Sequence, residues 1–195
     1  MKHIVVFASG SGSNFQAIID AIEAGQIKDA IIAGLIAGKP GIQAIERAEK
    51  AGIPVEILDS SASGEQADQQ ITGKLADWKP DLIVLAGYLK KIPDSVVKEF
   101  DRKMINIHPS LLPKFGGKGY YGSKVHSAVL EAGERESGCT VHFVNEQYDQ
   151  GSIIRQVRVP VLADDTVESL SKRVLEKEHE LLPAVINELL NSNSD

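Results

Sequence analysis

A chain of 195 residues with 43% hydrophobic content has the size of one domain and enough apolar material to build a core without disulfides or structural metal. The lone Cys139 cannot close an internal disulfide and no His/Cys cluster has zinc-ligand spacing, so no metal is expected and a reducing, cytoplasmic setting fits best. A net charge of −6 excludes a broad basic footprint for nucleic acid, and the short apolar start ending at Gly10 is neither a membrane span nor a signal segment.

The apolar run 3–8 reads as a buried strand. Residues 14–24 follow as a helix, with Phe15, Ile18, Ile19 and Ile22 at helical spacing after a Gly/Ser turn. Next come a strand at 31–36, a helix at 42–51 stopped by Gly52, a strand at 55–58, a polar helix at 65–78 and a fourth strand at 81–86. Strands alternating with helices need crossover connections, which makes them parallel and covers both sheet faces. A short helix at 94–100 and a strand at 104–108 continue the pattern. Then the order changes to a loop, a helix at 125–132, strands at 139–145 and 152–160 joined by a turn, and a terminal helix at 167–190. The predicted fold is therefore α/β, a doubly wound, mostly parallel but mixed sheet with helices on both faces, in one domain over 1–195. The tail 191–195 reads as frayed.

The first strand runs into Ser9-Gly10-Ser11-Gly12-Ser13-Asn14, whose glycines allow close backbone approach while the next helix offers unpaired amides to an anion. A dinucleotide fingerprint would need Gly where Phe15 stands, and the second strand ends in Gly38-Lys39-Pro40 without a ribose-gripping acid. No Lys-Ser/Thr pair makes it a Walker loop. A helix cap by Ser13 or Asn14 would explain the same turn, and the sequence leaves both readings open.

The segment Asn106-Ile107-His108-Pro109-Ser110-Leu111-Leu112-Pro113 is more specific. Strand periodicity puts Asn106 and His108 on one face, with Ile105 and Ile107 on the other. Pro109 biases His108 toward an extended conformation and ends the strand, at the carboxyl edge where open α/β sheets bind ligands. The alternative is an Asn and a His satisfied by loop backbone. Asp149, followed by Gly151 between two strands, is by itself ordinary turn chemistry.

The Asn106–Pro113 run resembles the signature of the folate-dependent formyltransferase family. The resemblance extends through Gly10-Ser11-Gly12-Ser13-Asn14, Leu85-Ala86-Gly87-Tyr88, Gly138-Cys139-Thr140-Val141-His142-Phe143-Val144, Tyr148-Asp149-Gln150-Gly151, and Glu178-His179 with Pro183. It implies a phosphate-binding half at 1–100 and a catalytic, folate-binding half at 101–195. Asn106, His108 and Asp149 would be the catalytic trio. Gly12, Ser13 and Asn14 would take the substrate phosphate, Glu178 the ribose, and Pro109 would border the substrate. Leu89, Lys90, Lys91, Ile92, Asn106 and Val144 would line the folate pocket.

The implied reaction passes a formyl group from the co-substrate 10-formyltetrahydrofolate to the amine of glycinamide ribonucleotide. The implied partners are these small molecules, with no nucleic acid and no membrane, and a homodimer is left open. Attack of the amine on the formyl carbon creates an oxyanion, which Asn106 and a protonated His108 would meet with hydrogen bonds, while Asp149 raises the His108 pKa and relays the amine proton. His142 reads as a core or supporting residue, Cys139 as structural, and His179 as packed within its helix. Leu175 stands where family members often carry Lys or Gln, and Gly64 where a basic residue is common. Residues 115–122, with four glycines, read equally as a flap or as surface filler.

Overall fold

The computed structural model describes residues 1–59 and 64–191; part of the predicted tail, 192–195, lies outside them. Seven strands form one sheet: β1 (Lys2–Ala8), β2 (Ala30–Ala37), β3 (Val55–Ile57), β4 (Leu82–Leu85), β5 (Met104–His108), β6 (Glu136–Phe143) and β7 (Ile153–Pro160). Their order is β3-β2-β1-β4-β5-β6-β7. The five on the β3 side are mutually parallel, and β6 and β7 are antiparallel to their neighbours, which makes the sheet mixed as expected; the turn predicts the β6–β7 pair, whereas β5 and β6 pair antiparallel although α5 lies between them.

Side-chain alternation divides the core in two. Ile4, Val6, Leu35, Val84, Ile105 and Val141 pack beneath α1 (Ser13–Glu23), α2 (Gln43–Lys50), α5 (Ser123–Glu131) and α6 (Val167–Asn191). Val5, Phe7, Ile36, Ile83, Leu85 and Met104 pack on the opposite face beneath α3 (Gly64–Trp78) and α4 (Asp94–Glu99). Both layers are almost completely buried, so the near-continuous apolar runs of β1 and β4 are what a two-sided sheet requires. Among the described residues no helix is long and apolar enough to cross a membrane.

The sequence misplaces the ends of β6, which begins at Glu136 rather than 139 and stops at Phe143 rather than 145. The early start is carried by pairing with β7, where Glu136 lies opposite Pro160 and its carboxylate takes Arg158 at 2.7 Å. The early stop follows from Asn145, whose Oδ1 accepts the Gln147 N–H at 3.0 Å and turns the chain out of the ladder.

The strand order reverses between β1 and β4, so the loops leaving these strands diverge around a crevice at their carboxyl ends. The Ser9 N–H donates to the Gly87 carbonyl at 3.1 Å, and Ser9 Oγ accepts the Leu89 N–H at 3.2 Å, fastening one loop to the other. On the far side of the crevice the turn after β6 is fixed by Gly151, where a Cβ would sit 1.6 Å from the Phe143 carbonyl oxygen. Gly151→Ala should therefore lower stability by roughly 1–3 kcal/mol or more, as overpacking against immovable backbone does. Gly10→Ala, with nothing within 4 Å of the added carbon, should leave the urea midpoint nearly unchanged. Equal midpoints for the two variants would contradict this account.

Candidate active site

Helix α1 starts directly behind the β1 loop. Its N-cap is Gly12, left-handed at φ 70°, and no side chain caps the helix or adds an acidic group to its first turn. The cap read as an alternative for Ser13 and Asn14 is therefore not formed, and the α1 amides remain available to an anion. Asn14 instead donates Nδ2 to Glu178 Oε2 of α6 at 2.5 Å, and its own Oδ1 is buried without a partner among the described residues. Behind the loop a Cβ on Gly12 would lie 2.7 Å from Ala44 Cβ. Arg47 donates Nε to the Ser11 carbonyl at 2.9 Å and Nη1 to Gln16 Oε1 at 3.1 Å, bracing the turn from outside.

Asn106 and His108 leave β5 on the same face, opposite His142 and Thr140 of β6 in the ladder. Asp149, in the β6–β7 turn at φ 54°, folds back onto them. Its Oδ2 lies 3.5 Å from His108 Nδ1 and accepts the Gly117 N–H at 2.8 Å; its Oδ1 lies 3.5 Å from His142 Nε2 and accepts Asn106 Nδ2 at 3.3 Å. The turn former and the site carboxylate are the same residue.

The neighbouring carbonyls fix the protons. His108 Nε2 is 2.8 Å from the Phe115 carbonyl, and His142 Nδ1 is 2.8 Å from the Phe143 carbonyl. A carbonyl only accepts, so both nitrogens carry hydrogen. His142 Nε2 is then an acceptor, and it receives Asn106 Nδ2 at 3.1 Å. Both amide hydrogens of Asn106 are thus turned toward His142 and Asp149. The free donor expected from sequence is engaged inside the cluster.

Burial is the largest influence on His108, only 5% exposed, and holds its pKa below the ordinary 6.5 despite the opposing pull of Asp149 and the Phe115 carbonyl. Asp149 does raise the His108 pKa as expected, but the net shift is downward because desolvation of the cation outweighs one carboxylate 3.5 Å away. Burial pushes the Asp149 carboxyl up, but His142 and His108, each when it carries a proton toward the carboxylate, and the Gly117 amide bring it below its usual range. Glu178, 7% exposed, is pushed by burial to about 7, against the lowering effect of Asn14. Burial, then the charge of Glu178, raise the Cys139 thiol to about 12, an unreactive core group as the sequence reads it.

Two cavities meet at Asn106 and Asp149. The larger, about 570 Å³, is lined by Ser13, Asn14, Asn106, His108, Pro109, Asp149 and Glu178. The other is lined by Lys90, Lys91, Ile92, Asn106, Val144 and Asp149. Leu89, 54% exposed, borders the larger cavity rather than the one assigned to it from sequence. Gly12 lines neither, sitting behind the loop against Ala44. Lys91 is drawn to Asp94 at 2.7 Å.

His142 belongs to the cluster more closely than its sequence reading allowed; its alternation with Thr140, which in the ladder puts both on the same face as Asn106 and His108, was the available signal. Lys118, Lys124 and His126 also line the larger cavity and were not foreseen. His126, 3% exposed with Nδ1 unpartnered, stands in an amphipathic helix where nothing in the spacing marks it. Among the described residues no group of three or more His, Cys, Asp and Glu side chains converges as a metal-ligand set.

The buried Glu178 gives a test with a definite sign. Its folded pKa lies above the 4.5 of the unfolded chain, so the folded state holds the extra proton and stability falls as pH rises from about 4.5 through 7. A shift of that size corresponds to roughly 3 kcal/mol. Glu178→Gln, which can still accept from Asn14, should be more stable than the parent at pH 8 by up to that amount. The two should converge below pH 4.5 in denaturant unfolding. A pH-independent gap would refute the buried-carboxylate assignment.

The formyl transferase family model matches residues 2–186. The chloroplastic phosphoribosylglycinamide formyltransferase of Arabidopsis thaliana is 46% identical over 95% of this chain, which spans 64% of that relative's length. The phosphoribosylglycinamide formyltransferase of Haemophilus influenzae is 41% identical over 95% of this chain and 86% of its own. Among solved structures, glycinamide ribonucleotide transformylase 1 from Symbiobacterium toebii superimposes with a TM-score of 0.91 at 37% identity, covering 98% of this chain and 89% of its own. A sheet that reverses order at the crevice, a polar cluster on β5 and these matches along nearly the whole chain agree: the chain belongs to the formyl transferase family.

Proposed function

We propose that this protein transfers the formyl group of 10-formyltetrahydrofolate to the amine of glycinamide ribonucleotide, a step of purine synthesis. The observation that carries the reading is the meeting of two cavities at Asn106 and Asp149. One ends at an uncapped helix N-terminus suited to a phosphate; the other combines apolar Ile92 and Val144 with lysines at its rim, suited to a flat ring system with an acidic tail. A transfer between two bound molecules needs such a junction. We assign Ser13 and Asn14, shaped by Gly12, to the phosphate, Glu178 to the ribose, Pro109 to the acceptor wall, and Lys90, Lys91, Ile92 and Val144 to the folate, with Leu89 at the mouth between them.

In this proposal the reaction begins with neutral His108, in keeping with its lowered pKa. The amine attacks the formyl carbon, and its surplus proton passes to the His108–Asp149 pair directly or through water. The imidazolium so formed is stabilised by Asp149 and donates to the oxyanion. Asn106 adds a second donor by giving up its longer bond, the one to Asp149. Collapse breaks the bond from the formyl carbon to the folate nitrogen, which takes the proton back from the pair, so no net proton is consumed.

The protein is proposed to act as a single domain over 1–195, with the phosphate-binding half at 1–100 and the catalytic half at 101–195. It would work in the cytoplasm on small molecules, without nucleic acid or membrane, alone or as a homodimer.

Incubation with 10-formyltetrahydrofolate should release tetrahydrofolate quickly only when glycinamide ribonucleotide is present, with formylglycinamide ribonucleotide accumulating in equal amount. Release at the same rate without acceptor would identify a hydrolase instead.

Asp149→Asn should remain folded, since Asn also tolerates the left-handed backbone at this turn, yet lose turnover by on the order of 100-fold at every acceptor concentration. Removing the carboxylate takes away an influence that raises the His108 pKa, so the NMR titration midpoint of His108 should fall further. An unchanged midpoint with near-normal turnover would reduce Asp149 to a turn residue.

A further inference from the structure

A phosphate monoester carries close to two negative charges. It would enter a chain already at −6 and a cavity that contains the carboxylates Asp149 and Glu178. The α1 N-terminus offsets only about half a charge, so a cation beside the phosphate is required. The α6 residues lining the cavity are Ser171, Leu175 and Glu178, which offer none. Arg47 is committed to the Ser11 carbonyl and Gln16 and borders a separate groove. His108 and His126 are both held toward their neutral forms by burial.

We propose that Lys118 and Lys124 supply the missing charge and hold the acceptor's phosphate, an inference that rests on the ribonucleotide reading above. Both line the same cavity as Ser13 and Asn14. Among the described residues neither forms an ion pair, whereas nearby Lys114 is paired to Glu134 at 2.7 Å outside the site. Lys124 Nζ is 3.0 Å from Tyr121 Oη and 4.5 Å from the centre of that ring, so it is oriented without being neutralised. Two buried polar atoms on this cavity's lining residues, Asn14 Oδ1 and His126 Nδ1, also lack partners among the described residues, as expected of a surface completed by a polar ligand. The phosphate is thus gripped from the segment after β5 as well as from α1, and the acceptor's charge contributes to ordering that segment over the trio.

The test compares glycinamide ribonucleotide with its dephosphorylated riboside in steady-state kinetics of the parent, Lys118→Ala, Lys124→Ala, the double variant and Lys124→Arg. Each alanine variant should raise KM for the ribonucleotide by about tenfold, the size of a charge-assisted hydrogen bond. The double variant should raise it further, KM for 10-formyltetrahydrofolate should change little, and Lys124→Arg should restore most of the loss. With the riboside, parent and variants should perform alike. Unchanged KM for the ribonucleotide, or an equal loss on both acceptors, would overturn the lysine assignment. A parent enzyme that strongly prefers the ribonucleotide, with every lysine variant keeping that preference in full, would sink this inference alone; a parent that formylates neither acceptor would overturn the ribonucleotide reading itself.

Discussion

The carboxylate of Asp149 is the point on which the site is assembled. One oxygen takes the Asn106 amide and faces His142, and the other takes the Gly117 amide and faces His108. Strand β5, strand β6 and the loop before α5 thus share one partner at this edge. The arrangement depends in turn on a left-handed backbone at Asp149 and on the absence of a side chain at Gly151. A short turn therefore sets the distances among groups that come from three separate stretches of chain.

The protein places several ionisable groups where their charged forms are costly. His108 is nearly enclosed, and Glu178 is buried with one good donor. Burial opposes the charge of both, drawing the His108 pKa down and pushing Glu178 up to about 7. A histidine held toward its neutral form beside a carboxylate is suited to accept a proton, as the proposed transfer asks of it. The same cluster also satisfies itself: every donor of Asn106 and the Nε2–H of His108 are engaged within the protein. Exchange of one internal bond for one to a reacting group costs little, because the number of hydrogen bonds is conserved.

Much of this was legible in the sequence, for physical reasons that differ from place to place. Period-two alternation around Ile105, Ile107, Asn106 and His108 predicts the faces of β5, because a strand's side chains have no freedom to do otherwise. The switch from crossovers to a turn after residue 143 predicts the antiparallel pair. The β6 ends were misjudged because pairing with β7, a tertiary effect, extends one end while Asn145 closes the other. The pull of Asp149 on His108 was legible, but the net direction of the His108 pKa was not, because sequence shows the neighbouring charge and not the enclosure that opposes it. Lys118, Lys124 and His126 escaped notice because a loop and a polar helix face look alike whether they meet water or a cavity.

The pairing of Asn14 with Glu178 joins residues 164 positions apart. A contact of that span forms only after most of the chain has collapsed, since the closure entropy of so long a loop must first be offset by the sheet and by α6 docking on α1. This end of the crevice therefore exists only in the fully docked chain. Any molecule that binds there adds its binding energy to the docking of α6, so completion of the fold and occupancy of the crevice are a single linked equilibrium.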